Sequence, residues 1–363
     1  MKYKFFHAFF FVVFLTAITT SCKHTISVSD VSDVDGIITA FTPASGRAVY
    51  FWKTRFDLNE AEQSFLKTYS ITKMYVRMFD VDFDASPAAG PEKVIPVATT
   101  TFVSQKPDSV EIVPTVFITT RAIKVAASED SGVAALAWKI ILRVKNMMDY
   151  NDLGHFSELQ LDCDWTGSTR EDYYALCKET RAILKPEGIS LSSTIRLHQL
   201  RQSAPPVDRG VLMLYNTGSF KDPGANNSII SEKDASAYLK GDKPVKYGVP
   251  IDFAYPAFSW GVWFRGNTFM ALLHSSAFSD GQLYKPCDDA YREVIKDHIL
   301  EGHQLLVGDR IRVEHASFKE IQSVKALVMK SFPGGRHRNV IYHLDSNNLN
   351  DYTADEIKSI FDD

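Results

Sequence analysis

Cysteine is scarce in this chain, at four in 363 residues, and with Cys22 set aside as a processing site only Cys163, Cys177 and Cys287 remain. An odd set of three makes no disulfide framework, so the fold must rest on its own apolar core. Neither charge sign dominates. Against 44 Asp and Glu stand 40 Lys and Arg, a formal charge of -4, which supplies no broad cationic field and excludes nucleic acid as a partner. The 19 Gly and 15 Pro are near average usage and no fixed-period repeat is present, which excludes collagen-like and low-complexity architectures. There is no Gly-x-Ser-x-Gly elbow and no Gly-rich phosphate turn, so serine-hydrolase and nucleotide chemistry lack their usual support. His298 with His303, and His337 with His343, have no Cys or His neighbour at zinc spacing, and no metal or other cofactor is expected. Asp80, Asp82 and Asp84 start like a calcium loop, but Ala85 and Pro91 replace its glycine and closing glutamate, so the three acids read as a solvated strand end.

A long apolar run occurs only at the start. Lys2 and Lys4 precede apolar residues from Phe5 to Ile18, broken by His7 and Thr16, and small polar residues lead on to Cys22. Short for a bilayer crossing and followed by a cleavage-type region, residues 1–21 read as a signal peptide. Ile18-Thr19-Thr20-Ser21-Cys22 resembles a bacterial lipoprotein box, with Thr19 where Leu is usual. That resemblance implies acylation of the Cys22 thiol, a polar tether over 22–40 and a folded region over 41–363. The membrane is then a partner through the lipid, and the expected location is the bacterial cell envelope, at the outer membrane. Ordinary secretion with an incidental Cys22 is the alternative.

From Arg47 onward short β-rich runs alternate with helical patterns, as in a parallel sheet with helices outside. Strands are expected at Ala48–Trp52, Lys73–Phe79, Ile112–Thr119, Leu159–Asp164, Ile189–Ile195, Val211–Tyr215, Val249–Ala254 and Val340–Leu344. Helices are expected at Asn59–Tyr69, Val133–Met148, Thr169–Leu184, Glu232–Leu239 and Thr353–Phe361, the last opened by Thr353 and Glu356 as a capping box. The fold class is therefore α/β, a (β/α)8 TIM barrel. An insertion over 255–339 separates the seventh and eighth strands, with a helix near Asp288–Glu301, a β-like run at Gln304–Val313 and a helix at Phe318–Ser331. An open doubly wound sheet is the runner-up.

Barrels carry their chemistry at the C-terminal ends of the strands. Those positions include Trp52, Arg77, Asp80, Asp162, Asp164, Trp165, Arg196, His198, Tyr215, Asn216, Asp252, Tyr255, His343 and Asp345. In Leu161-Asp162-Cys163-Asp164-Trp165 the acids stand at i and i+2, so both face the barrel interior, while Cys163 turns to the helix layer. Neighbouring carboxylates repel when both are ionised, which raises one pKa and suits acid/base work. A buried hydrogen-bonded layer closed by Arg77 or Arg196 fits the same residues.

This strand resembles the fourth strand of family 18 glycoside hydrolases, Asp-x-x-Asp-x-Asp-x-Glu. Asp162, Asp164 and Trp165 match, whereas Leu159 replaces the first Asp and Thr166 the catalytic Glu. Threonine is far too weak an acid to protonate a leaving oxygen. Met213-Leu214-Tyr215-Asn216 resembles the family's sixth-strand Met-x-Tyr-Asp, where the Tyr holds the reacting N-acetyl group. More broadly the segment order is similar to glycosidase-like barrel lipoproteins of Bacteroidetes. The resemblance implies a barrel that binds, and in its active form hydrolyses, a glycan.

The expected catalytic set is Asp162, Asp164 and Tyr215, with the missing acid supplied by Glu314, Asp80 or Asp345. Expected binding residues are Trp52, Arg77, Asp80, Trp165, Arg196, Asn216, Tyr255, Trp260, Trp263 and Asp345. Five aromatics between Tyr255 and Phe264 suit stacking on sugar faces, and equally the core of the insertion. The alternative function is a non-catalytic glycan-binding or assembly lipoprotein. A hydrolase of another bond is a third reading.

Overall fold

The computed structural model describes residues 46–86, 93–239, 244–274, 278–288, 290–334 and 336–362. The expected signal peptide, the tether and Cys22 lie outside the described residues. Eight parallel strands close into a ring: β1 (Arg47–Phe51), β2 (Ile71–Phe83), β3 (Glu111–Ile118), β4 (Glu158–Asp162), β5 (Ser190–Arg196), β6 (Arg209–Met213), β7 (Ile251–Pro256) and β8 (Asn339–Tyr342). Each pairs with its sequence neighbours, and closure comes from β1 pairing with both β2 and β8. This is the expected (β/α)8 barrel.

Helices α1 (Glu60–Thr68), α2 (Thr120–Ala127), α3 (Gly132–Tyr150), α4 (Arg170–Leu184), α5 (Glu232–Leu239), α6 (Phe318–Ser331), α7 (Ser346–Leu349) and α8 (Ala354–Phe361) complete the fold. Asn59 caps α1 and Thr353 caps α8, each with a glutamate three residues on returning a bond to the cap backbone. The outward residues of the strands, such as Leu159 and Leu161 on β4, with Cys163 just beyond it, pack with the helices into one apolar layer.

Between β7 and β8 the chain builds a five-stranded antiparallel sheet, in the order Thr268–Leu273, Ser259–Arg265, Arg310–His315, Tyr291–Val294, Tyr284–Pro286. It has its own core around Trp263, Phe278, Tyr284 and Ile311. Gly261 lies at the tightest point, where a Cβ would stand 2.5 Å from the Phe278 ring and 2.8 Å from Ile311. The helix expected near Asp288–Glu301 is not formed. Tyr291–Val294 joins the sheet, and His298–Leu300 folds back on His303–Leu305 through Glu301 and Gly302, both at positive φ, a two-residue hairpin turn.

The barrel interior carries an ionic layer near the N-terminal ends of the strands. Lys73 donates to Glu158 at 2.8 Å, Tyr75 donates to the same carboxylate at 3.2 Å, and Arg209 donates to Asp252 at 2.7 Å. Asp252 also accepts the Arg338 backbone N–H at 2.9 Å, which puts it in this layer and not at the rim where the sequence reading set it. Asp252→Ala removes the buried carboxylate that accepts from Arg209 and from the Arg338 backbone and should cost about 1–3 kcal/mol, read as a lower urea midpoint with unchanged m-value. A midpoint within experimental error of wild type contradicts this layer.

Candidate functional site

On β4 and its extension, alternate residues Glu158, Gln160, Asp162 and Asp164 form a polar column up the barrel axis. Tyr50 donates to Gln160 at 2.8 Å and Gln160 donates to Ser192 at 3.3 Å, linking β1, β4 and β5 across the interior. Above them Asp162 is 3% exposed and accepts from the Thr194 hydroxyl at 2.5 Å and from Arg196 at 3.1 Å. Arg196 also donates through Nε to Asp164, whose side chain is 56% exposed. One guanidinium therefore spans two carboxylates, one sealed in the barrel and one open at its mouth.

Burial raises the pKa of the Asp162 carboxyl; Arg196 opposes the rise, and Asp164 adds to it. Burial alone would lower the Arg196 pKa, but Asp162 and Asp164 outweigh it and hold the group above its ordinary value. Arg77, the other cation considered for this role, pairs instead with Asp80 through two hydrogen bonds, one at 2.7 Å.

A cleft of about 220 Å³ opens at the ends of β4, β5 and β6, lined by Asp164, Arg196, His198, Tyr215, Asn216 and Tyr238, among others. Asn216 turns the chain there in the left-handed region, at φ 53°. Beside the cleft lies a cluster of rings in which Tyr215 is buried, 8% exposed, and Trp52, Phe258 and Tyr342 are half-buried. Tyr215 stacks on Tyr342 with centroids 4.4 Å apart, Tyr342 lies 6.0 Å from Trp52, and Phe258 meets Tyr215 edge-on at 5.9 Å. The Arg77 guanidinium lies 5.8 Å from the Trp52 ring, so Trp52, Arg77 and Asp80 stand together on the β1 and β2 side of the mouth.

Other expected residues are buried or already engaged. Trp165 and Tyr255 are fully buried on the helix side of their strands, because they alternate with Asp164 and Ala254, which face inward. Trp263 is 4% exposed in the insertion core. Trp260, 9% exposed, donates to Glu314 at 2.7 Å, and Glu314 also accepts from Ser228 and Arg312, each at 2.6 Å. These three donors, one of them from the segment after β6, hold Glu314 buried at 1% exposure. Asp345 accepts from the Asn347 backbone at 3.0 Å and pairs with Lys53 at 3.2 Å. His343 is pushed down to about 4 by burial and is neutral near pH 7. Among the described residues no three metal-ligating side chains cluster.

Tyr342 and Thr194 were missed by the sequence reading, which took β8 by its last residues and β5 by its charge. Strand parity marks both: Tyr342 shares a face with inward Val340, and Thr194 shares one with Ser192 and Arg196.

Aspartate carboxyl ¹³C titration should place the Asp162 midpoint above the unperturbed 3.8 and move it further up in Arg196→Gln, which removes the opposing charge. Because the folded pKa is raised, this group favours folding at low pH, and that contribution fades as pH rises through the folded midpoint. A midpoint at or below 3.8 contradicts the assigned burial.

No protein-family model matches the chain, and no curated protein matches it. Several solved structures are similar in backbone course. The spore cortex-lytic enzyme SleL of Bacillus cereus is 14% identical, over 88% of this chain and 75% of that one, with a TM-score of 0.45. A chitinase of Chromobacterium violaceum is 14% identical, over 83% and 95%, at 0.45. A class V chitinase of Nicotiana tobaccum is 11% identical, over 84% and 95%, at 0.47.

Proposed function

We propose that this chain is a lipid-anchored protein of the bacterial cell envelope, held at the outer membrane through Cys22, whose barrel mouth binds a glycan. One observation carries the reading: the open Asp164 carboxylate, fixed by Arg196, lines a polar cleft beside the half-buried rings of Trp52 and Tyr342, which Tyr215 supports from within. A pyranose presents hydroxyls at its edge and C–H groups on its face, so a fixed carboxylate beside flat rings suits both.

Binding without cleavage is the better supported form. Thr166 stands where the resembling family has its glutamate, and its exposed hydroxyl faces Ser168 Oγ at 3.1 Å. The replacement acids proposed for it are each engaged, Asp80 by Arg77, Asp345 by Lys53 and Glu314 by Arg312. Hydrolysis is the second reading, favoured by the two neighbouring carboxylates bridged by Arg196, of which burial pushes the inner one, Asp162, upward in pKa.

A panel of host and bacterial glycans should yield at least one ligand whose affinity falls at least about tenfold, or 1.4 kcal/mol, in Trp52→Ala, with circular dichroism unchanged. Reducing ends should not appear. Their release, abolished by Asp164→Asn, moves the conclusion to the hydrolytic reading, and the absence of any ligand across the panel contradicts both. In a bacterial host, Cys22→Ala should shift the protein from the membrane to the soluble fraction; an unchanged membrane fraction contradicts the anchor.

A further inference from the structure

We infer that Arg312 and Glu314, buried in the insertion, are positioning residues for the ligand cleft: they hold the loop whose two ends supply one wall of it. The inference rests on the glycan-binding reading above and deepens it, naming residues that act on the ligand only through that loop.

The chain leaves β6 through Asn216 and Thr217, which line the cleft, runs without helix or strand up to Ser231, and enters α5, whose Tyr238 lines the same cleft. Its two ends meet. Thr217 donates its backbone N–H to the Ile229 carbonyl at 3.4 Å, and its hydroxyl accepts from the Ser231 N–H at 3.0 Å, which makes residues 217–231 an Ω-loop. The rest of the loop is held by the insertion. Arg312 donates to the Asp222 carbonyl at 2.6 Å and to the Phe220 carbonyl at 3.3 Å, and Glu314 accepts from the Ser228 hydroxyl at 2.6 Å. Tyr291 adds a bond to the Pro223 carbonyl at 2.7 Å, and Asn227 donates to the His315 carbonyl at 2.8 Å.

Arg312 and Glu314 stand two residues apart on one face of the strand Arg310–His315, 0% and 1% exposed, and pair at 2.6 Å. A buried ion pair is a poor source of stability, since both charges leave water and apolar residues of the same volume often serve better. What this pair supplies is direction. The guanidinium fork accepts only carbonyls at set positions, and the carboxylate fixes both the fork and Ser228. With the fork released, Asn216, Thr217 and Tyr238 are free to shift against Asp164 and Arg196, which the barrel strands hold from the other side of the cleft.

Hydrogen exchange of the purified protein, with calorimetry against a β-1,4-linked N-acetylglucosamine tetramer, tests this. The variants are Arg312→Gln, the isosteric Glu314→Gln, and Arg265→Gln as a control that breaks the Arg265–Asp309 pair elsewhere in the insertion. Arg312→Gln should speed exchange over 217–231 at least about tenfold while β4 and β5 stay within about twofold. It should also weaken the tetramer at least about fivefold, Glu314→Gln should do both to a smaller degree, and Arg265→Gln neither. Should Arg312→Gln not fold, Glu314→Gln decides. An unchanged loop, a released loop with unchanged affinity, or exchange that rises equally in β4 and β5 overturns the inference and leaves the glycan reading standing. If wild type does not take the tetramer, the tightest ligand of the wider panel replaces it, and if no glycan binds wild type, both readings fail.

Discussion

Arg196 spanning Asp162 and Asp164 is the constraint on which the mouth depends. Two carboxylates at alternate positions of one strand repel, and the lower one, shut inside the barrel, is costly to ionise. A single guanidinium from β5 answers both: one arm reaches Asp162 at 3.1 Å and the other holds Asp164 at the surface. Without it, Asp164 would be free to swing into solvent, and the cleft would lose its one exposed and fixed carboxylate.

The layers beneath keep that pair in place. Tyr50 and Tyr75 stack with centroids 4.8 Å apart and hand hydrogen bonds to Gln160 and Glu158, so the barrel axis is filled by polar side chains with partners. The interior therefore has little room to collapse upward. The ring cluster of the mouth is continuous with this filling, since Tyr50 lies 5.5 Å from Tyr342. Rigid support from below and openness above are what a preorganised binding surface requires.

Much of this was legible in the sequence, for physical reasons. All eight strands were found because buried parallel strands read as short β-rich runs between helical patterns, and the inward pair Asp162 and Asp164 follows from the period of two. The same period assigns Trp165 and Tyr255 to the helix side and Tyr342 to the mouth; placing residues by nearness to a strand end, without parity, misplaced the first two and missed the third. The helix expected over Asp288–Glu301 failed for another reason: the Glu301-Gly302 turn and the sheet pairing of Tyr291 are tertiary and turn effects that composition does not reveal. Which aromatics of the Tyr255–Phe264 run face solvent depended on the insertion folding around its own core, and four of the five are buried there or under the helices.

The resulting account is of a barrel whose chemistry sits in one fixed, open carboxylate beside flat rings, with its other rim acids tied to cations. The most direct measurement is a crystal structure of the protein with the tightest-binding oligosaccharide of a glycan panel. The account predicts a sugar ring against Trp52 and Tyr342 with a donor within hydrogen-bond distance of Asp164. A ligand seated on the insertion or the outer helices, with the mouth unoccupied, would contradict it.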